Sequence, residues 1–154
     1  MRVLLIENSY EDAQVILHEI KKAKFNIEWE RVSNEKEMRA SLRNKEWDII
    51  IADYLLPGFS CTKALHISQE MVVDKPFIVL SDEVGEQHAV EMMKAGAHDY
   101  IMKDNLARLL PTIQRELQEA RIRKEHRESE RTLLEERVKI KTYFENLPLL
   151  AFIT

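Results

Sequence analysis

Four short apolar runs constrain this chain more than any other feature. Val3-Leu4-Leu5-Ile6 stops at Glu7-Asn8, Ile49-Ile50-Ile51-Ala52 at Asp53, Phe77-Ile78-Val79-Leu80 at Ser81, and Tyr100-Ile101-Met102 at Lys103. A strand covered on one face alternates apolar with polar, whereas a strand covered on both faces reads as a continuous apolar run. These runs are continuous, so helices are expected on both sides of the sheet they form.

The intervening segments supply those helices. Ser9 followed by Asp12 is a capping signal, and Ala13, Ile16, Leu17, Ile20 and Ala23 then repeat at helical spacing. Ile27 to Val32 reads as a second strand, Asn34 with Glu37 as a capping box, and Met38 with Leu42 as the apolar stripe of a second helix. Ser60 can cap a third helix carrying Ala64 and Leu65. Gly85 precedes a fourth, for which Ala89, Val90, Met93 and Ala97 are the expected core face. Five strand–helix alternations over residues 1–122, joined by right-handed crossovers, give an α/β fold with an open, doubly wound parallel sheet.

Such a sheet delivers its strand ends to one edge. An acid, a carboxylate, a hydroxyl and a lysine are gathered there: Glu7-Asn8, Asp53, Ser81 and Lys103, with Gly-Ala-His-Asp-Tyr ahead of the last strand. Singly, each has a bland reading, because Asp before Pro-Gly is common loop chemistry, Ser after a strand is a cap, and a lone Lys is solvated. Together, in this order and spacing, they resemble the receiver domain of two-component response regulators.

That resemblance implies a flavodoxin-like five-stranded sheet of order 2-1-3-4-5 with a long C-terminal helical extension. It implies that Asp53 accepts a phosphoryl group from a phosphohistidine of a histidine kinase or histidine phosphotransfer protein. Mg²⁺ is implied as cofactor, held directly by Asp53, Asn8 and the Leu55 carbonyl and through water by Glu7. Lys103 is implied to pair with the phosphoryl oxygens, and Ser81 to bond to the group in the activated state. Tyr100 then turns inward, shifting the surface of helix four, strand five and helix five. The chemistry is coherent: a carboxylate attacking an anionic phosphoryl group needs a divalent cation and a lysine to neutralise charge, and Mg²⁺ prefers oxygen ligands.

Three residues depart from the family pattern. Its acidic pair is Glu-Asp or Asp-Asp, so Asn8 replaces a direct carboxylate ligand and weaker Mg²⁺ binding is expected. Asp82 stands where a small residue usually follows the switch Ser, and its carboxylate either repels the phosphoryl group or replaces the lost charge. Asp104 stands where Lys103 is usually followed by proline, which leaves the customary cis peptide in doubt.

Charge and cysteine content bound the partners. Residues 1–105 carry a net −6 and residues 106–154 a net +2, giving −4 for the chain. Neither part has the basic surface of a nucleic-acid binder. A single cysteine, Cys61, makes no internal disulfide, and no apolar run is long enough for a signal peptide or a membrane span. A cytoplasmic protein without membrane contact is expected.

Beyond Lys103, residues 104–110 read as a turn, with Pro111 opening helix five at a position where a missing N–H costs nothing. No glycine or proline follows until Pro148, so residues 123–146 are expected to form a helical linker, charged in the middle, with an apolar face at Leu133, Leu134, Val138, Ile140, Tyr143 and Phe144. The face favours a homodimer through this helix over a solvated connector. Residues 147–154 resemble the start of a PAS sensor domain, which points to a sensor histidine kinase or cyclic-dinucleotide enzyme downstream.

Two functions on similar folds fit poorly. A flavin site needs a hydroxyl- and glycine-rich phosphate loop, and Glu7-Asn8-Ser9-Tyr10-Glu11-Asp12 is acidic; an aspartate-dependent phosphatase needs a second Asp where Leu55 stands. The serious alternative is a degenerate receiver that acts as a phosphorylation-independent interaction or dimerisation module.

Overall fold

The computed structural model describes residues 1–24, 26–72, 74–82 and 85–147. In chain order it contains β1 (Arg2–Ile6), α1 (Tyr10–Ile20), β2 (Glu28–Val32), α2 (Glu35–Asn44), β3 (Ile49–Asp53), α3 (Cys61–Met71), β4 (Phe77–Ser81), α4 (Glu86–Ala95) and β5 (Asp99–Met102). A 3-10 segment (Lys103–Arg108) then leads into α5 (Leu109–Glu145). The strands form one parallel sheet of order β2-β1-β3-β4-β5.

Side chains alternate across the sheet and build two cores. Leu4, Ile6, Ile50, Ala52, Phe77, Val79 and Tyr100 lie on one face, packed with Ala64 and Leu65 of α3 and Met92 of α4. Val3, Leu5, Ile49, Ile51, Ile78, Leu80 and Ile101 lie on the other, packed with Ala13, Ile16 and Leu17 of α1 and with Leu109 and Ile113 of α5. The three central strands are buried on both faces. By contrast β2, at the sheet edge, carries Glu28, Glu30 and Arg31, charges that discourage another strand from pairing there.

Local chemistry sets the helix ends. Ser9 Oγ accepts from the Asp12 N–H at 3.1 Å and Ser60 Oγ from the Lys63 N–H at 3.1 Å. At α2 the cap is a variant of the expected box: Asn34 Oδ1 accepts from the Glu37 N–H at 2.9 Å, while the Glu37 carboxylate turns back to accept from Asn34 Nδ2 and from the Ser33 N–H. Gly96 ends α4 in the left-handed region, at φ 115°, and a Cβ there would come within 2.4 Å of Gln69 Nε2, which itself donates to the Ala95 carbonyl.

Two sequence expectations are corrected. The core side of α4 is Met92 with partly buried Ala89; Val90 and Met93 are exposed, because a helix this short, ended at Gly96, buries only a narrow stripe. Residues 104–110 are not a simple turn: the 3-10 segment, broken at Asn105, runs to Arg108, and α5 begins at Leu109. Pro111 then falls within the first turn, where helix N–H groups have no intrahelical acceptor to lose. No cis peptide occurs among the described residues.

The chain divides into two units, Met1–Ala120 and Arg121–Thr154. The described part of the second is helical to Glu145, carries i,i+4 ion pairs such as Arg131–Glu135, and exposes Leu133, Leu134, Val138, Ile140, Tyr143 and Phe144. The expected PAS-like start falls, apart from Leu147, outside the described residues. No helix among the described residues is long and apolar enough to cross a membrane.

Candidate functional site

The carboxyl edge of the sheet is where side-chain alternation and register bring chemistry together. Ile6 pairs with Ala52, so Glu7 and Asp53 stand beside one another one step further along β1 and β3. Both continue the face of Leu5 and Ile51, the face covered by α1. Lys103, two residues past Ile101, continues the same face from β5.

Lys103 is the hub. Its Nζ donates to Glu7 Oε2 at 3.3 Å, to Asp12 Oδ2 at 3.0 Å and to Asp53 Oδ2 at 3.2 Å. The side chains of Lys103 and Asp53 are each 11% exposed, Glu7 is 3% exposed, and Asp12 is 47% exposed. Burial works to lower the Lys103 pKa, but the bond to Asp12 and the charges of Asp53 and Glu7 outweigh it and hold the ammonium well above its ordinary value. Glu7 is shifted the other way for a carboxylate. Burial, reinforced by the charge of Asp53, raises its pKa despite the Ser9 N–H and Lys103.

Other predicted residues are placed as follows. Asp53 Oδ1 accepts from the Leu55 N–H at 3.3 Å, and the Leu55 side chain is exposed. Asn8 is exposed, and its carbonyl, with that of Glu7, accepts from Arg31 Nη1. Asp82 is 68% exposed with Oδ2 3.8 Å from Lys103 Nζ, so it borders the cluster without a hydrogen bond to the ammonium. Ser81 is buried and continues the opposite face, that of Phe77 and Val79. Tyr100 lies on that face too and is buried. Its ring meets Tyr54 edge-on at 6.0 Å, and Tyr54 stacks on His88 at 4.8 Å.

Asp12 and the Tyr54–His88 stack were missed from sequence. Asp12 had a sufficient local explanation as the third helical residue after an N-cap, and its backbone does play that part. Its carboxylate, however, does not return to Ser9; that N–H is taken by Glu7 Oε1 at 3.0 Å. The available signal was an acid five residues past Glu7, in the first turn of the helix that covers the face Glu7 points toward. Cys61, beside the site at the start of α3, is buried, and burial with the charge of Asp53 pushes its thiol up to about 12, which makes it a poor nucleophile at neutral pH.

Among the described residues no three His, Cys, Asp or Glu side chains are arranged as ligands of one metal ion; the carboxylates are gathered on an ammonium instead. Glu7, Asp12 and Asp53 carry three negative charges against one on Lys103. The donors are oxygens and the surplus is two, which suits a hard divalent cation.

The family model for the response regulator receiver domain matches residues 3–114. Cell cycle response regulator CtrA of Brucella ovis is 33% identical over 103 residues, covering 67% of this chain and 44% of that protein. The chain thus spans less than half the length of that relative. A receiver domain of a putative Luxo repressor protein from Vibrio parahaemolyticus superposes with a TM-score of 0.71 at 23% identity, over 80% of this chain and 94% of that one. A response regulator of Burkholderia pseudomallei, whose structure holds a phosphorylated aspartic acid, calcium ion and citrate, superposes with a TM-score of 0.64 at 18% identity, over 80% of this chain and 72% of that one.

Proposed function

For a chain that belongs to the response regulator receiver domain family, as this one does, we propose that Asp53 is a phosphoryl acceptor in a two-component relay. One observation carries the reading: a single lysine, 50 residues from Asp53 and 96 from Glu7 in sequence, is drawn onto the carboxylate at the end of β3 together with a buried second acid. In the transfer, an Asp53 carboxylate oxygen forms a bond to phosphorus. The phosphorus–nitrogen bond to the donor's imidazole breaks, and that ring keeps the bonding electrons and takes up a proton.

Lys103 neutralises the incoming phosphoryl oxygens, and Glu7 keeps its ammonium at the edge of the sheet. Mg²⁺ held by Asp53, Asn8 and the Leu55 carbonyl, and through water by Glu7, would neutralise the remaining phosphoryl charge. Asn8 is neutral, and that makes this hold weaker than in receivers with two acids there. Ser81, at the end of β4, then binds the phosphoryl group, and Tyr100 couples that contact to α4, β5 and α5.

The donor is a histidine kinase or histidine phosphotransfer protein in the cytoplasm. The output lies beyond α5, in a PAS-like region that begins near residue 147 and feeds a sensor histidine kinase or a cyclic-dinucleotide enzyme. The exposed apolar face from Leu133 to Phe144 pairs with its copy in a dimer. Domains run as receiver 1–122, helical linker 123–146 and PAS-like start 147–154.

Incubation with Mg²⁺ and a small phosphodonor should add one phosphoryl mass to the intact protein, and Asp53→Asn should abolish the addition. Equal labelling of that variant refutes the assignment. No labelling of the native chain favours the second reading, a receiver that signals by interaction alone, which Asn8 and the nearness of Asp82 to Lys103 support.

A further inference from the structure

An ammonium has three N–H donors, and at Lys103 each meets one carboxylate: Glu7, Asp12 and Asp53. Asp82 is left outside this set at 3.8 Å. Glu7 and Asp53 come from strand ends in the sheet, whereas Asp12 comes from α1 above it and makes the shortest of the three contacts. Its side chain is available because the Ser9 N–H, which an acid at this helix position normally accepts from, is bonded to Glu7.

We propose that Asp12 is the positioning residue for Lys103, holding its ammonium from α1 through the shortest of the three contacts. This rests on the phospho-acceptor reading of Asp53. When Asp53 becomes an acyl phosphate, one donor of Lys103 passes from the carboxylate to a phosphoryl oxygen. The ammonium sits on a flexible four-carbon stem, so Glu7 alone would leave it free to swing. Two carboxylates on separate elements fix it at a point from which that exchange needs no movement of the stem. Asp82 does not share this positioning role, being both farther away and more exposed.

Asp12→Asn tests this in the full chain, since Asn keeps the side-chain size and the Ser9 cap binds the backbone N–H, which the change leaves in place. Labelling by a small phosphodonor is followed across an Mg²⁺ titration. The ¹⁵N-ammonium signal of Lys103, assigned by its absence from Lys103→Arg, is recorded without donor; it survives solvent exchange only while its protons are bonded. The expected result is a labelling rate at saturating Mg²⁺ lower by about tenfold, an Mg²⁺ half-saturation within about twofold of native, and loss of the ammonium signal. An unchanged rate with an unchanged signal overturns the proposal. So does a raised Mg²⁺ half-saturation with a native maximal rate, which would make Asp12 a metal ligand instead. If neither protein takes up phosphoryl, the acceptor reading falls, and the ammonium signal still decides whether Asp12 positions Lys103.

Discussion

Replacing Lys103 by Met keeps the apolar stem and removes the one cation from a cluster of three carboxylates. Two of these, Glu7 and Asp53, are nearly buried, at 3% and 11% side-chain exposure, and would lose their charged partner at 3.3 and 3.2 Å. Breaking a buried ion pair from one side costs about 3–5 kcal/mol; with Asp12 half in water, the lower end, about 3 kcal/mol, is expected at pH 7.5. The loss must depend on pH. The Glu7 pKa is already raised from 4.5 by burial and by Asp53, so the folded state binds this proton more tightly than the unfolded state does. Its contribution to stability is full below 4.5 and is lost as pH rises through the folded value. Removing Lys103 raises that value further, and the variant can then shed much of its penalty by protonating Glu7 as pH falls. Urea unfolding of both proteins in chelator, at one protein concentration, should show the difference shrinking steadily as pH falls from 7.5 to 5. Added Mg²⁺ should recover part of it at pH 7.5. A loss below about 1 kcal/mol at pH 7.5, or one equal at both pH values, would refute the view that Lys103 neutralises buried carboxylates.

Tyr100→Phe removes a buried hydroxyl that has no hydrogen-bond partner among the described residues, and should raise stability by about 1 kcal/mol in thermal or urea unfolding. A fall of that size would show that the hydroxyl is satisfied in solution. Gly96→Ala should cost about 1–2 kcal/mol, because φ is 115° there and the new Cβ displaces Gln69 from the Ala95 carbonyl. Combining it with Gln69→Ala relieves the clash and leaves the backbone strain, so a double variant as stable as Gln69→Ala alone would contradict the strain argument.

The sheet was legible because continuous apolar runs have few alternative uses in a chain this short, and the polar residue ending each run marks which edge it reaches. The order 2-1-3-4-5 came from family resemblance, since periodicity carries no information on which strands are neighbours. Glu7, Asp53 and Lys103 could be placed together once that order was accepted. Asp12 could not, because its N–H bond to Ser9 is local while its carboxylate answers to a lysine 91 residues later. The stripe of α4 was misread for a related reason: Ala89, Val90 and Met93 satisfy helical spacing as well as Ala89 and Met92 do, and only the packing of this short helix against the sheet, which buries Met92, decides between them. At α5, Pro111 is compatible with several first-turn positions, so it bounded the helix start without fixing it.

The alternation of side chains through β3, β4 and β5 divides labour between the two sides of the sheet. Glu7, Asp53 and Lys103 emerge on the side of α1, whereas Ser81 and Tyr100 emerge on the side of α3 and α4. The two groups nevertheless touch at the strand ends, where the Asp53 charge reaches Cys61 at the start of α3 and Tyr54, the residue after Asp53, meets Tyr100. The pleat thus makes the Asp53–Tyr54 step the place where a change of charge on one side of the sheet is felt as packing on the other.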